Sequence, residues 1–290
     1  MLWFLPNRGG LLPLALALFL LTLSPAPAAD DTWTPLFDGE TLGAWERVDT
    51  GGSGEVDIRD GAIRIAQGVM GSGIRYHAPQ GEPFPTENYE IEFTAQRTAG
   101  TDFFAALTFP VGDSCCTFIN GGWGGALVGL SCIDGYDASE NNSSSYYGFK
   151  NKTWYIFRVR VSKRLIQVWL DDEPIIKSFL DGKEVSIRIE MDRFAPLGFA
   201  TWVTEGRIKN IFYRRLTEEE IAEIDAEADV RTNAPAFLPP ELLPKRYTPL
   251  GLPILTPVLL TTGKISLFFK IWEDFNGFIE FFDCRGRNTK

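Results

Sequence analysis

Residues 112–141 concentrate the residue types that bind and transform small polar ligands. Asp and Asn side chains hydrogen-bond to hydroxyl groups, and a Trp flanked by glycines can present its flat face to a ring. Because turns also favour Asp, Asn and Gly, each residue taken alone fits a turn. The cluster as a whole predicts a ligand site. Its candidate residues are Asp134 and Glu140 for catalysis and Asp113, Asn120, Trp123 and Asn141 for binding.

His77 is the only histidine of the chain. Histidine exchanges a proton near neutral pH, which suits a general base. Arg75 lies two residues earlier, so in a strand the two side chains share one face. We therefore predict His77 as a catalytic base with Arg75 beside it as a substrate-binding residue. The alternative, a lone surface or core histidine, stays open.

Apolar and polar residues alternate from Tyr89 to Gln96, which predicts a strand with Glu90 and Glu92 on the same face. Retaining glucanases of the concanavalin A-like type place carboxylates along a strand in this way, with a third acidic residue further on. Thr94 occupies that further position, so the pattern is incomplete. A solvated strand face is the expectation for this pair.

Metal chemistry has little support in the sequence. The chain contains Cys115, Cys116, Cys132 and Cys284, but no Cys-x-x-Cys motif and no His/Cys cluster, which argues against zinc. The carboxylates of residues 112–141 could hold Ca²⁺ together with backbone carbonyls, although their spacing matches no known calcium loop. No other cofactor is expected. In an exported protein, a disulfide from Cys115 or Cys116 to Cys132 is an open expectation.

The elements that must position these residues are strands. Apolar and polar residues alternate repeatedly from residue 56 to residue 216, and Gly, Asp and Pro separate the runs. Many short strands of this kind predict an all-β antiparallel sandwich or jelly roll. The clearest predicted strands are 89–96, 154–161, 166–171, 185–190 and 207–216.

The two ends of the chain differ from this body. Arg8, the apolar run from Leu11 to Leu23 and Ala26-Pro-Ala28 are typical of a cleaved signal peptide over residues 1–28, so we expect a secreted or periplasmic protein. Residues 30–216 then form the β domain. Residues 217–290 comprise a short acidic helix with a capping-box start at Thr217, a Pro-rich linker and an aromatic tail of unknown role.

Composition limits the partners. The formal net charge is −10 at pH 7, and such a surface repels phosphate backbones, so we expect no nucleic-acid partner. Neutral sugars remain open, because hydrogen bonds and aromatic faces recognise them. Eight Trp and eight Tyr residues supply such faces.

Three stretches carry a resemblance to a known family. The first is Trp33-Thr-Pro-Leu-Phe-Asp-Gly-Glu-Thr-Leu-Gly-Ala-Trp45, the second is the Trp154-Tyr155 strand with its return Val168-Trp-Leu-Asp171, and the third runs from Gly198-Phe-Ala to Arg207-Ile-Lys-Asn-Ile211. Together they resemble the 3-keto-disaccharide hydrolase domain family across residues 33–216. The opening motif is the most specific, since the other two recur in many sandwiches.

The resemblance implies a concanavalin A-like jelly roll that cleaves glycosides carrying a ketone at carbon 3. Such a ketone acidifies the hydrogen at carbon 2, so a base can remove it and expel the glycosidic leaving group. A glycan or disaccharide is therefore the expected partner. Two alternatives stay open, since fold alone does not fix function: a non-catalytic carbohydrate-binding module, and a cell-envelope module attached through its C-terminal tail.

Overall fold

A computed structural model describes residues 32–233 of the chain. The predicted signal peptide (1–28), the Pro-rich linker and the aromatic tail with its expected envelope contact lie outside the described residues. Across residues 32–233, no helix has both the length and the apolar character that a membrane crossing needs. The division of the chain at residue 216 remains a prediction.

The described residues form fifteen strands, and short turns connect most of them. In chain order the strands are β1 (Thr34–Pro35), β2 (Trp45–Val48), β3 (Val56–Arg59), β4 (Ala62–Ile65), β5 (Gly71–Tyr76), β6 (Tyr89–Ala99), β7 (Ala106–Val111), β8 (Ser114–Gly121), β9 (Leu127–Ser131), β10 (Ser145–Tyr146), β11 (Trp154–Val161), β12 (Leu165–Leu170), β13 (Glu173–Phe179), β14 (Gly198–Trp202) and β15 (Glu205–Arg215). The helical elements are the single turn α1 (Gly122–Gly125), a 3-10 helix (Ile189–Phe194) and α2 (Glu218–Asn233).

These strands pair into two antiparallel sheets. Sheet A has the order β13-β12-β11-β6-β15-β4-β3, with β1 added against β15. Sheet B has the order β10-β9-β8-β7-β14-β5-β2. The inner faces of the two sheets supply one apolar core that is rich in phenylalanine. The predicted all-β jelly-roll sandwich is thereby confirmed.

Alternation was predicted correctly in the two central strands of sheet A. Tyr89, Ile91, Phe93 and Ala95 of β6 are buried in the core. The inward residues of β11 do the same, and each lies directly opposite an inward residue of β6, as Phe157 does opposite Phe93. Cross-strand pairs of this kind fix the register, because a slip by one residue would turn every apolar side chain outward.

For β15, the predicted alternation of inward and outward side chains was wrong beyond Lys209. The pairing of β15 with β6 shifts between Lys209 and Phe212, and Asn210 adopts a left-handed conformation with φ of 51°. This β-bulge inserts one extra residue into β15, so the inward-facing positions after it shift by one residue. Ile208 and Ile211 therefore both lie in the core, whereas Arg214 points outward opposite Glu90.

The predicted strand 185–190 was also wrong. Residues 183–196, called the strap below, leave the edge of the sandwich and cross the outer face of sheet B. Val185 makes only an isolated bridge to Ile133, and the strap then forms the 3-10 helix Ile189–Phe194. Ile187, Met191 and Phe194 of this segment pack against sheet B from outside, so they need no strand partner.

The capping box of helix α2 is confirmed. The Glu220 amide donates to Thr217 Oγ1 at 3.2 Å, and the Thr217 amide donates to Glu220 Oε2 at 2.9 Å. The helix continues to Asn233. Ile224 of the helix packs on Leu165 and Leu216 beside sheet A.

A buried ionic cluster joins helix α2 to sheet A, which corrects the expectation for Glu90. The Glu90 side chain is 0 % exposed. Its carboxylate contacts Arg160 Nε at 2.5 Å and Arg214 Nη2 at 2.6 Å. Glu220 bridges the same two arginines, and the Arg214 guanidinium lowers the pKa of the Glu220 carboxyl to about 2. Glu90 therefore serves packing and charge pairing rather than solvation or catalysis.

The expected disulfide is not formed. Cys115, Cys116 and Cys132 are free thiols, and Cys284 lies outside the described residues. Cys116 points into the core, where burial raises the pKa of its thiol above the usual range.

Candidate functional site

Small residues on the outer face of sheet B allow the strap to lie directly on it. A Cβ atom on Gly73 would come within 2.6 Å of Phe194 Cε1, and one on Gly198 within 2.9 Å of Phe194 Cβ. Only glycine fits these two positions, which lie on adjacent strands β5 and β14. Phe194 and Met191 of the strap are thereby buried against Ala200 and Ala106.

A cavity of about 280 Å³ lies where the strap meets turn α1 and the start of β7. It combines two tryptophans, two carboxylates, one guanidinium and one hydroxyl over an apolar floor. Its lining residues are Asp102, Phe103, Ile119, Trp123, Ser131, Arg188, Glu190, Met191 and Trp202. This combination of flat rings with a few convergent polar groups is typical of a site for a small polar ligand.

Trp123, predicted as a substrate-binding residue, lies at this cavity. Its side chain is 49 % exposed and lines the cavity. Its backbone is left-handed, with φ of 45° and ψ of 56°, an uncommon conformation for a large side chain. Such a conformation persists only where its surroundings hold it, and it is enriched at functional sites.

Asp102 supplies part of that support. Its carboxylate accepts hydrogen bonds from the backbone amides of Phe103, at 2.8 Å, and of Trp123 and Gly124. Burial raises the pKa of the Asp102 carboxyl above the usual aspartate range, against the lowering effect of these hydrogen bonds. Asp102 is thus a half-buried carboxylate of increased basicity that lines the cavity.

The strap contributes Arg188 and Glu190 to the cavity. Arg188 donates to Glu190 Oε1 at 2.9 Å and to Asp137 Oδ2 at 2.9 Å. The Glu190 carboxylate raises the pKa of Arg188, and in return Arg188 lowers the pKa of Glu190. Both groups therefore remain charged at neutral pH, so the guanidinium is held in a fixed place beside the cavity.

Loop 132–144 supports the strap instead of lining the cavity. Asp134 pairs with Lys183 and accepts from the Glu184 amide at 3.0 Å, which lowers the pKa of its carboxyl. Asn141 donates to the carbonyls of Leu130, at 2.6 Å, and Asp137, at 2.8 Å. The prediction of Asp134 as catalytic and Asn141 as substrate-binding therefore finds no support: their polar atoms hold backbone and strap.

Three further candidates lie away from the cavity. Asn120 is fully buried, and its amide group bonds both the N–H and the carbonyl of Ala105, at 3.0 and 2.7 Å. Asp113 is exposed in the turn between β7 and β8, and Glu140 is exposed in loop 132–144. Asn120 therefore positions the start of β7, and neither Asp113 nor Glu140 lines the cavity.

His77 and Arg75 form a separate exposed cluster with Glu46. His77 Nε2 lies 2.6 Å from Glu46 Oε2, and Arg75 Nη2 lies 3.3 Å from the same oxygen. Strand β5 connects this cluster to the cavity, since Gly71 pairs with Trp202 at one end and Tyr76 precedes His77 at the other. Gly71 and His77 are six residues apart, which in a strand spans roughly 20 Å. The structure does not bring the predicted base into the cavity.

Sequence reasoning missed Asp102, Arg188, Glu190 and Trp202. A weak signal existed for Asp102, because Gly100-Thr-Asp102 comes shortly after the predicted strand 89–96. Arg188 and Glu190 fell within a segment predicted as a strand, where they read as solvent-facing alternation. Only the path of the strap over sheet B brings them to the cavity.

A larger cleft of about 710 Å³ lies beside β15 and the start of α2, with Thr32, the first described residue, on its rim. Its carboxylates are Glu87 and Glu218. The aromatic residue that lines this cleft is Tyr213, which packs against Phe84. The smaller cavity has the better chemistry because it combines a basic carboxylate, two tryptophans and a fixed cation.

Metal binding gains no support from the geometry. Among residues 32–233, no three His, Cys, Asp or Glu side chains come together in a way that could hold a metal ion. Of the carboxylates considered for Ca²⁺, Asp134 pairs with Lys183 and Asp137 with Arg188, while Glu140 and Asp113 point to solvent. The possible Ca²⁺ site is therefore not formed by these residues.

Several solved structures with a similar backbone fold are of proteins that bind or act on carbohydrates. A candidate glycosyl hydrolase from Parabacteroides distasonis ATCC 8503 is 13 % identical, with a TM-score of 0.41 over 63 % of this chain and 94 % of that one. The carbohydrate-binding module CBM66 from Bacillus subtilis is 13 % identical, with a TM-score of 0.36 over 59 % and 95 %. The Crh5 transglycosylase is 10 % identical, with a TM-score of 0.43 over 65 % and 85 %.

No curated protein sequence matches the chain. A family model does match, across residues 32–214, which is nearly the whole described sandwich. The resemblance carried by the Trp33–Trp45 opening motif is thereby confirmed. The chain belongs to the 3-keto-alpha-glucoside-1,2-lyase-like domain family, a family of carbohydrate-active domains.

Proposed function

We propose that the protein cleaves glycosides bearing a ketone at carbon 3 by base-initiated elimination in the cavity on sheet B. The observation that carries this proposal is Asp102, a carboxylate with raised pKa that lines a cavity together with two tryptophans and an arginine. Family membership supplies the substrate class. The predicted base, His77, has no place in this proposal because it lies outside the cavity.

Asp102 is the proposed base. The ketone acidifies the hydrogen at carbon 2, and the carboxylate removes that hydrogen as a proton. Burial raises the pKa of Asp102, so its carboxylate is a stronger base than an ordinary aspartate. The bond between carbon 1 and the glycosidic oxygen then breaks, a double bond forms between carbons 1 and 2, and the leaving oxygen takes a proton from water.

Arg188 is the proposed stabiliser of the enolate oxygen that develops at carbon 3. A fixed cation lowers the barrier most when it needs no rearrangement during the reaction. Glu190 and Asp137 hold the Arg188 guanidinium from two sides, which meets this requirement. Trp123 and Trp202 offer the flat faces on which a sugar ring can stack.

The experiment that tests the proposal compares a 3-keto-disaccharide with its unoxidised parent. The purified protein is incubated with each, and the release of free monosaccharide is followed over time. We expect cleavage of the keto form alone, because the parent lacks the acidified hydrogen. Equal cleavage of both sugars would contradict elimination. Binding of both without cleavage would leave the carbohydrate-binding module as the function.

We also propose that the protein is exported, on the strength of the signal-peptide pattern in residues 1–28. Expression of the full chain followed by N-terminal sequencing of the fraction outside the cytoplasm checks this. We expect a mature protein that begins at Ala29. A full-length protein that stays in the cytoplasm would contradict it.

A further inference from the structure

Exposed aromatic side chains cluster beside the cavity. Among the described residues, the large hydrophobic side chains exposed to solvent include four aromatic ones, all within residues 123–147: Trp123, Tyr136, Tyr146 and Tyr147. The other members of this exposed set are aliphatic and are scattered along the chain. Single exposed apolar residues are normal, but a local concentration of aromatic rings marks an interaction site.

Tyr146 lies on the same face of sheet B as the cavity. It is directly opposite Leu127 in the antiparallel pair of β10 and β9, so both side chains point to one face. Leu127 packs in the cluster that contains Ile119 and Met191, and these two residues line the cavity. Tyr146 therefore stands on the outer face at the edge strand, where it is 66 % exposed.

Trp123 flanks the same position from the other side. Leu127 forms an isolated β-bridge with Gly122, the residue before Trp123. On its other side, Leu127 pairs with Tyr146 of β10. Directly opposite residues in an antiparallel ladder have Cα atoms about 5 Å apart, so Gly122 and Tyr146 lie about 10 Å apart. The pairing thus places Tyr146 near turn α1, on the edge strand beside the cavity.

We infer that Tyr146, next to Trp123, forms a stacking subsite for the second sugar ring of the substrate, the ring that leaves. The inference rests on the proposed function. The cavity volume of about 280 Å³ is small for a ligand site, since such sites usually start at roughly 300 Å³. In this inference one ring occupies the cavity and the leaving ring extends out of it. Tyrosine suits that ring because its face packs on sugar C–H groups while its hydroxyl meets the sugar hydroxyls.

Tyr147 supplies a matched control. It is the next residue and is also exposed, but its ring already packs against Phe149, at 4.8 Å, and Tyr155, at 5.9 Å between ring centroids. Its ring therefore belongs to the core side of the strand and not to the proposed subsite.

The test uses the full protein and two substrates, a 3-keto-disaccharide and methyl 3-keto-glucoside, whose leaving group is too small to reach Tyr146. We expect Tyr146→Ala to raise KM for the disaccharide roughly 3–10-fold, with kcat little changed and with little effect on the methyl glucoside. Tyr146→Phe should retain most of the wild-type KM, and Tyr147→Ala should show no preference between the substrates. Equal losses on both substrates, or no loss in Tyr146→Ala, would overturn the inference.

Calorimetric binding of the unoxidised disaccharide and of methyl glucoside separates this inference from the proposed reaction. If no sugar is cleaved but Tyr146→Ala weakens binding of the disaccharide alone, the subsite stands and the elimination is wrong. If the wild-type protein binds neither sugar, the subsite is wrong as well.

Discussion

The two outer faces of the sandwich use the same residue types for opposite purposes. On sheet A, carboxylates and guanidinium groups neutralise one another, and Arg158 and Arg160 cover the ring of Trp169 at 4.8 and 5.4 Å. On sheet B, small residues seat the strap, and a carboxylate and two tryptophans face a cavity. Glu, Arg and Trp therefore indicate a ligand site only where neighbouring side chains do not already pair with them and they line a cavity.

Glu90 and Asp102 show the difference most clearly. Both are acidic residues on or beside central strands, and both are removed from bulk water to different degrees. Glu90 has two arginine partners within 2.6 Å, so its charge is compensated within the protein. Asp102 accepts hydrogen bonds from backbone amides, feels Arg97 only as a weaker charge nearby, and lies at a cavity, so its raised basicity is available to a substrate.

The largest effect that would test this comparison concerns stability. Removing the charge of Glu90 leaves the buried Arg214 and the partly buried Arg160 with Glu220 as their remaining shared partner, so Glu90→Gln should lower the free energy of unfolding by about 3–5 kcal/mol. The measurement is urea unfolding at pH 7, where Glu220 is ionised. Glu92→Gln, on the same strand face, serves as the control and should cost less than about 1 kcal/mol. Equal effects of the two changes would contradict the structural role of Glu90.

A smaller effect concerns the support of the strap. Asp137 lies 2.9 Å from Arg188, and its side chain is only 14 % exposed. Asp137→Asn weakens this support, so kcat for the 3-keto-disaccharide should fall about tenfold, which corresponds to about 1.4 kcal/mol. Asp134→Asn breaks the pair with Lys183 at the far end of the strap and should change kcat by less than about twofold. A loss in Asp134→Asn as large as that in Asp137→Asn would show that Arg188 is not the group being positioned.

The smallest effect is expected at His77. Its partner is Glu46 at the edge of sheet B, outside the cavity. His77→Ala should therefore leave kcat/KM for the keto substrate within about twofold of wild type. A loss of a hundredfold or more, on the order expected for a general base, would return the base to His77 and would place the reaction outside the cavity.

The sequence predicted the parts of the molecule that local patterns determine. Alternation in β6 and β11 gives the core because a strand has a period of two residues, and Thr217 with Glu220 marks the start of α2 because a capping box is local. The bulge at Asn210 and the strap were missed. Both depend on contacts with distant strands: Asn210 with the pairing of β15 on β6, and Phe194 with Gly73 and Gly198.

The site was predicted only in part for the same reason. Trp123, which glycines surround in the sequence, lines the cavity. Asp134, Asn120 and Asn141 come from the same polar, glycine-rich region, but they bond to backbone or to the strap. Asp102 does not belong to any recognisable sequence motif. Its chemistry arises from burial and from the amides of turn α1, and a linear pattern contains neither.

The rate of elimination in Asp102→Asn tests the central claim most directly. Asparagine retains a side-chain oxygen for the backbone amides of turn α1 but cannot accept the proton from carbon 2. We predict that kcat/KM for the 3-keto-disaccharide falls by about 10²–10⁴-fold. Binding of the unoxidised parent should be retained. In the wild-type protein, kcat/KM should fall as the pH drops through the raised pKa of Asp102, at a higher pH than for an ordinary aspartate. Elimination by Asp102→Asn at the wild-type rate would contradict the account.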